Sequence, residues 1–118
     1  MQGASQGLFN VSGELRGHAT YLRLDGELDT TTSPFLETWL QGVERNGKNA
    51  IVVDLEHVTF IDTSGLYAFL RAAERARRNG RDFSMIKAPA VVRRLIEVSR
   101  TTHLLGSDTV SAIVHQRV

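Results

Sequence analysis

Apolar and polar residues alternate over Leu8–Leu28, and this period of two predicts β-strands with one buried face. Gly17-His18 falls within the alternation and predicts a turn, so we expect two antiparallel strands. Ala50–Val53 is a nearly continuous β-branched run, which is typical of a central strand covered on both faces. We expect this strand to stop at Asp54. A further strand is predicted over Phe83–Lys87.

Between and after these strands, apolar residues recur at helical spacing. Ser33 is predicted to cap a first helix with Pro34 at its first position, where proline loses no hydrogen bond. A second helix is predicted to end at Asn79-Gly80, and Pro89 opens a third. The apolar stripes of the three helices are Phe35, Leu36, Trp39, Leu40, Val43; Leu66, Phe69, Leu70, Ala73; and Val91, Val92, Leu95, Ile96. A last segment from Asp108 is predicted as a helix with Val110, Ile113 and Val114 on one face, although its β-branched residues leave a strand open.

Strands that alternate with helices indicate parallel pairing of the central strands through right-handed crossovers, with one antiparallel strand at the start. The predicted fold class is therefore α/β, with a mixed, mainly parallel sheet of four to five strands and about four helices. A length of 118 residues is typical of one domain. We assign residues 1–7 to a flexible tail and residues 8–118 to the domain.

Composition and charge exclude several kinds of function. The chain has no cysteine, so it has no disulfide, thiolate zinc site or thiol nucleophile. A formal charge of +1 gives no overall attraction to nucleic acid or anionic lipid, and no apolar run approaches the ~20 residues of a membrane helix. The four histidines lack metal-ligand spacing, and nucleotide-binding or hydrolase motifs are absent from the sequence. We expect a cytoplasmic protein without metal, cofactor or enzymatic activity, and without a membrane or nucleic-acid partner.

Five arginines crowd the second predicted helix and its exit, namely Arg71, Arg75, Arg77, Arg78 and Arg81. A basic helix can bind nucleic acid or an acidic protein face. Because the total charge is near zero and exposed aromatic residues are not interleaved, we interpret it as a solvated outer face.

The polar residues at two predicted strand ends are the candidates for chemistry. If the strands ending near Leu28 and Asp54 are parallel, Asp29–Thr32 and Asp62–Ser64 lie at one edge of the sheet. Ser64 at a helix start is a candidate phosphoacceptor, because the unpaired N–H groups there stabilise an added phosphate. Helix capping alone also explains Asp, Thr and Ser at this place. A glycine inside the helix, Gly65, indicates a close approach to the backbone.

The stretch Leu55–Leu66, preceded by Asp25–Asp29, resembles the STAS domains of bacterial anti-sigma-factor antagonists, and the likeness spans roughly residues 8–114. The resemblance implies that Ser64 is phosphorylated by an anti-sigma factor that is also an ATP-dependent serine kinase. It further implies partner switching: the unmodified protein binds the anti-sigma factor, phosphorylation blocks binding, and a PPM-type phosphatase restores it. A monomer or weak dimer is expected.

The residues expected around the phosphorylation site are Asp29, Thr30, Thr31, Asp62, Thr63, Gly65 and Leu66. Thr63 is either an alternate acceptor or the N-cap, and we favour the cap. Asp29 and Asp62 are either acceptors that orient the serine or turn and cap residues. Tyr67 stands where the family frequently has a small residue.

Two alternatives remain open at the level of sequence. A STAS scaffold or transporter-accessory subunit would bind partners without modification of Ser64. A phospho-aspartate receiver-like domain would use Asp54 as its acceptor at a strand end, but the first strand lacks the carboxylate pair that such a domain needs for magnesium, and Lys87 alone is weak support.

Overall fold

A computed structural model describes residues 3–47 and 49–104 of the chain. The strands in these residues are β1 (Gly3–Gln6), β2 (Phe9–Arg16), β3 (Ala19–Leu28), β4 (Ala50–Ile61) and β5 (Phe83–Ile86). The helices are α1 (Ser33–Arg45), α2 (Thr63–Arg78) and α3 (Ala90–Val98), and a 3-10 turn, Thr102–Leu104, follows α3. The predicted segment from Asp108 to Val114 lies outside the described residues.

The five strands form one sheet in the order β1-β2-β3-β4-β5. β2 pairs antiparallel with both β1 and β3, whereas β4 pairs parallel with both β3 and β5. α1 and α2 connect the parallel strands, because a parallel connection needs a crossover long enough to return to the starting edge. The predicted α/β class with a mixed sheet of four to five strands is confirmed. Three α-helices lie in the described part of the chain, against about four predicted.

Residues Gly3–Gln6, predicted as part of a flexible tail over residues 1–7, form the edge strand β1. The backbone of β1 pairs with β2 from Gly3 opposite Ser12 to Gln6 opposite Phe9. For these four residues the tail assignment is corrected. An added edge strand is held by main-chain hydrogen bonds, so a short polar segment gives no alternating pattern to recognise.

β4 is longer than predicted, since it continues through Asp54 to Ile61. Between the pairs Arg23–Asp54 and Leu28–Ile61, β3 advances five residues while β4 advances seven, so β4 contains two bulges. The bulges space its buried side chains three residues apart, at Leu55, Val58 and Ile61. A spacing of three is not a strand period, so the sequence pattern predicts that the strand stops at Asp54.

One face of the sheet is buried under the helices and the other face is largely polar. On β3, Leu22 and Leu24 are fully buried, whereas Arg23 and Asp25 on the opposite face are exposed. Residues of α1, α2 and α3 join the buried face in a single core. Its largest fully buried side chains are Phe9, Phe69, Leu22, Leu24, Leu28, Leu36, Leu40, Ile51, Leu55, Leu66, Met85 and Ile96. This packing fixes where α1 and α2 begin relative to the strand ends.

Candidate functional site

The first turns of α1 and α2 lie side by side at the carboxyl ends of β3 and β4. The two strands end together, with Leu28 paired to Ile61, and the Asp62 N–H donates to the Leu28 carbonyl at 3.1 Å. Each strand leads directly into the loop and helix that follow it. As a result, the hydroxyl oxygens of Ser33 and Ser64 are 3.3 Å apart, although 31 residues separate them in the chain.

Asp62 is the N-cap of α2. Its Oδ1 accepts hydrogen bonds from the Ser64 N–H at 2.9 Å and the Gly65 N–H at 3.4 Å. The same oxygen accepts the Ser64 hydroxyl at 2.5 Å. Asp62 therefore combines the two predicted alternatives, because one carboxylate oxygen both caps the helix and orients the serine.

The prediction that Thr63 is the cap is wrong. The extended backbone of Asp62 (φ −116°, ψ −172°) turns its carboxylate over the first turn, so α2 already begins at Thr63. The Thr63 side chain is exposed, that of Ser64 is half-buried, and that of Tyr67 one turn later is 55% exposed. Solvent thus reaches the edge of the pair formed by Ser64 and Asp62.

Asp29 organises its own loop rather than contacting Ser64. Its Oδ1 accepts the N–H groups of Thr31 at 2.9 Å and Thr32 at 3.0 Å, and it lies 3.2 Å from the Thr32 hydroxyl, which donates to the Glu27 carbonyl at 2.7 Å. The hydrogen bond from the Thr32 N–H is the main reason why the pKa of Asp29 lies below its ordinary value. Of the two roles predicted for Asp29, the turn residue is the one observed. Thr30 and Thr31 are exposed on this loop.

Ser33, for which the sequence predicts only a capping role, lies in the site. α1 begins at Ser33 itself, after Thr32, and Thr32 makes no capping hydrogen bond with its side chain. The Ser33 hydroxyl donates to the Asp29 carbonyl at 2.7 Å and is buried beside Ser64. The feature of the sequence that could have identified Ser33 as a neighbour of Ser64 is the predicted parallel pairing of β3 with β4. Parallel pairing brings together the first residues of the two helices that follow these strands.

Gly65 and Leu66 anchor the start of α2. A Cβ on Gly65 would lie 3.0 Å from both Ile61 Cγ1 and Leu28 Cβ, so the predicted close approach is made by the ends of β3 and β4. Leu66 is 2% exposed and belongs to the core. Both residues are buried and do not reach a docked protein, and they contribute to the site by holding the helix in place.

The arginines of α2 connect it to α1. Arg71 pairs with Glu37 at 2.5 Å, and Arg75 pairs with both Glu37 and Glu44. The hydrogen bond to Glu44 is the main reason why the pKa of Arg75 is raised. The predicted solvated outer face is therefore partly an ion-paired contact between two helices, because Arg75 is only 21% exposed at its side chain.

Asp54, the acceptor in the receiver-like alternative, lies in the middle of β4 and is 6% exposed. Its Oδ1 accepts the Glu56 N–H at 2.9 Å, and its Oδ2 is 3.8 Å from Arg23 Nη2. A receiver acceptor needs an open strand end, so this alternative is wrong.

Residues 3–47 and 49–104 offer neither a metal-binding group nor a membrane-spanning helix. In that part of the chain, histidine and carboxylate side chains nowhere gather in a group of three that could hold a metal ion. None of its helices combines the length and the apolar character needed to cross a membrane.

In a comparison with known proteins, the family model of the STAS domain matches residues 10–115 of this chain. An anti-sigma-B factor antagonist of Staphylococcus aureus is 29% identical over 84 residues, which cover 71% of this chain and 78% of the relative. A crystal structure of an anti-sigma factor antagonist from Mycobacterium paratuberculosis has a TM-score of 0.76 at 22% identity, over 89% of this chain and 93% of that chain.

The antagonist SpoIIAA has been solved in two forms that resemble this fold. Its unphosphorylated form has a TM-score of 0.72 at 16% identity, over 87% of this chain and 95% of that chain. The phosphorylated form of SpoIIAA, from Bacillus, has a TM-score of 0.66 at 17% identity, over 81% and 88% of the two chains. At these identities the likeness concerns the fold.

Proposed function

The chain belongs to the STAS domain family, and on that premise we propose that it is a cytoplasmic anti-sigma factor antagonist switched by phosphorylation of Ser64. In the unmodified state it binds an anti-sigma factor with serine kinase activity, and phosphorylation releases that partner. A PPM-type phosphatase returns the protein to its binding state. The relative in Staphylococcus aureus named as an anti-sigma-B factor antagonist supports the regulatory role.

The observation that carries the proposal is the hydrogen bond from the Ser64 hydroxyl to Asp62 Oδ1 at 2.5 Å, in a half-buried position at the start of α2. A carboxylate within hydrogen-bond distance of a hydroxyl is placed to take its proton. The fold match to a phosphorylated form of SpoIIAA supports phosphorylation as the modification.

In the phosphoryl transfer, the γ-phosphoryl group of ATP moves to the Ser64 hydroxyl. Ser64 Oγ forms a bond to the γ-phosphorus of the ATP carried by the kinase, and the bond from that phosphorus to the β–γ bridging oxygen breaks. ADP leaves with the bond electrons, and the hydroxyl proton passes to the Asp62 carboxylate and from there to solvent. The chain is a substrate in this step, and the kinase supplies positioning and charge stabilisation.

Release follows from electrostatics. Phosphorylation adds about −1.5 to −2 charge at Ser64, directly beside the carboxylate of Asp62. A partner that covers Ser64, with the exposed Thr63 and Tyr67 at its rim, would have to desolvate this charge. An unpaired buried charge costs several kcal/mol, whereas ~1.4 kcal/mol already lowers affinity tenfold.

The test uses this chain as bait in a lysate of its own bacterium. The captured anti-sigma factor is identified and purified, and its affinity is measured by calorimetry for wild type, Ser64→Ala and Ser64→Glu. We expect Ser64→Ala to bind like wild type and Ser64→Glu to bind at least about tenfold more weakly. Incubation with the kinase and ATP should modify wild type but not Ser64→Ala.

Ser99→Glu is the matched control, because it adds the same charge at an exposed serine just after α3. Its affinity should equal that of wild type. Equal affinity of all three serine variants would contradict the switch and favour a constitutive STAS scaffold. Labelling of Ser64→Ala that maps to Thr63 would reassign the acceptor.

A further inference from the structure

Among the described residues, Ser33 is the one from another element whose side chain contacts the Ser64 hydroxyl. The residue is 5% exposed, and its Oγ lies 3.3 Å from Ser64 Oγ. Burial in the first turn of α1 places this hydroxyl next to Ser64. The contact raises the question of which proton it uses.

Each hydroxyl has one proton, and both protons are already directed elsewhere. The Ser64 proton points to Asp62 Oδ1 at 2.5 Å, and the Ser33 proton points to the Asp29 carbonyl at 2.7 Å. The contact between the two serine oxygens therefore has no proton of its own in this arrangement. It becomes a hydrogen bond only when one hydroxyl turns away from its first acceptor.

Phosphorylation removes the Ser64 proton and leaves Ser33 with the only hydroxyl proton of the pair. The Ser64 oxygen, now an ester oxygen, can no longer donate to Asp62, and the added phosphate is repelled by that carboxylate. We propose that Ser33 is a hydroxyl switch: it donates to the Asp29 carbonyl while Ser64 is unmodified, and to the ester or phosphoryl oxygen of Ser64 after phosphorylation. This inference rests on the proposed modification of Ser64.

The surroundings allow Ser33 to change its acceptor. The Asp29 carbonyl also accepts the Ser33 N–H at 2.9 Å, so it keeps one hydrogen bond when the hydroxyl turns away. The Ser33 hydroxyl donates to the Asp29 carbonyl and not to the Asp29 carboxylate, whose Oδ1 accepts the N–H groups of Thr31 and Thr32. A neutral donor beside a dianionic phosphate favours the dianion and lowers the second pKa of the phosphate.

The test installs phosphoserine at position 64 during translation, so that it needs no kinase. The second phosphate ionisation is then titrated by ³¹P NMR in the full chain. Relative to the same phosphoprotein with the native Ser33, Ser33→Ala should raise this pKa by about half a unit, because a hydrogen bond to the charged form is lost. The carboxylates of Asp29 and Asp62 are present in both proteins, so the difference reports on the hydroxyl.

Thr38→Val is the matched control. It removes an exposed hydroxyl of the same helix that donates to the Pro34 carbonyl at 3.1 Å, and it should leave the phosphate pKa unchanged. If Ser33→Ala does not fold, Ser33→Cys keeps the volume with a weak donor and should give the same upward shift.

Identical titration with and without the Ser33 hydroxyl, or an equal shift in Thr38→Val, would overturn the proposal. These outcomes are independent of kinase and anti-sigma factor. A failure of Ser64 to be modified by the kinase would instead contradict the proposed function.

Discussion

Arg75 of α2 donates two parallel hydrogen bonds to Glu44 of α1, from Nε to Oε1 at 2.7 Å and from Nη2 to Oε2 at 3.0 Å. Arg75 Nη2 also reaches Glu37 Oε1 at 3.3 Å. Arg75 therefore pairs with two carboxylates of the neighbouring helix α1. Because α1 and α2 carry Ser33 and Ser64 at their first turns, this contact helps to hold the two halves of the site together.

We expect Arg75→Ala to lower the free energy of unfolding by about 1–3 kcal/mol, since Glu37 and Glu44 lose a charged donor in a place where each side chain is only 17% exposed. Urea denaturation measures the effect. Arg78→Ala, which changes an exposed residue of the same helix, should stay within about 0.5 kcal/mol of wild type. Equal losses in both variants would show that the paired geometry is not the cause.

Gly65→Ala should destabilise the protein by about 1 kcal/mol. The added methyl would lie 3.0 Å from Leu28 Cβ and Ile61 Cγ1, and overpacking costs about 1–3 kcal/mol, partly offset by the ~1 kcal/mol that alanine gains over glycine in a helix. Gly42→Ala is the matched control in α1, where the nearest atom is 4.0 Å away. Gly42→Ala should raise the thermal midpoint, and the opposite order of the two variants would contradict this packing.

Asp29 should make stability depend on pH on the acid side. The Thr32 N–H lowers the folded-state pKa of its carboxyl, so its contribution is complete above the unfolded pKa of about 3.9 and is lost as the pH falls through the folded value. The difference in thermal midpoint between wild type and Asp29→Ala should be constant from pH 7 to about 5 and shrink below about 4. Asp29→Asn keeps an acceptor oxygen but no charge, so its difference from Asp29→Ala should not vary with pH. A constant difference between wild type and Asp29→Ala down to pH 2 would contradict the assignment.

Asp62→Asn separates capping from the chemistry of Ser64. Asparagine caps helices about as well as aspartate, so the thermal midpoint should change little. The loss of a charged acceptor at 2.5 Å from the Ser64 hydroxyl should slow phosphorylation about 100-fold or more in single-turnover assays. Asp62→Ala should lower both stability and rate. An unchanged rate in a well-folded Asp62→Asn protein would leave Asp62 with the capping role alone.

The sequence predicted those elements whose periodicity was intact. The alternation that buries Leu22 and Leu24 identified β3, and the helical spacing of Leu66 and Phe69 identified α2. The second half of β4 is not predicted as a strand because two bulges change its period. β1 is not predicted because its pairing depends on the backbone alone. A local sequence pattern predicts a strand well only where its pairing with the neighbouring strand is regular, so that the alternation of buried and exposed side chains stays at two residues.

The candidate site was predicted in its residues but not in its contacts. Ser64 and Asp62 were singled out from the chain, and they are hydrogen-bonded. Ser33 was missed as a neighbour of Ser64, and the glutamate partners of Arg71 and Arg75 were missed as well, since each contact joins residues more than 30 positions apart. Such contacts depend on the register between β3 and β4, which residue types do not specify.

The two bulges of β4 shorten the distance that this strand covers along the sheet. Seven residues of β4 span the same length as five residues of β3, so that Ile61 ends level with Leu28. In a regular ladder, at about 3.3 Å per residue, the same sequence would carry the start of α2 roughly 7 Å past the end of β3. Losing one residue between Leu55 and Phe60 would either retract the acceptor serine or invert which side chains point inward. We therefore expect insertions and deletions in this short stretch to be far more damaging than most substitutions there. Related chains should preserve the length of the stretch even where its amino-acid sequence differs.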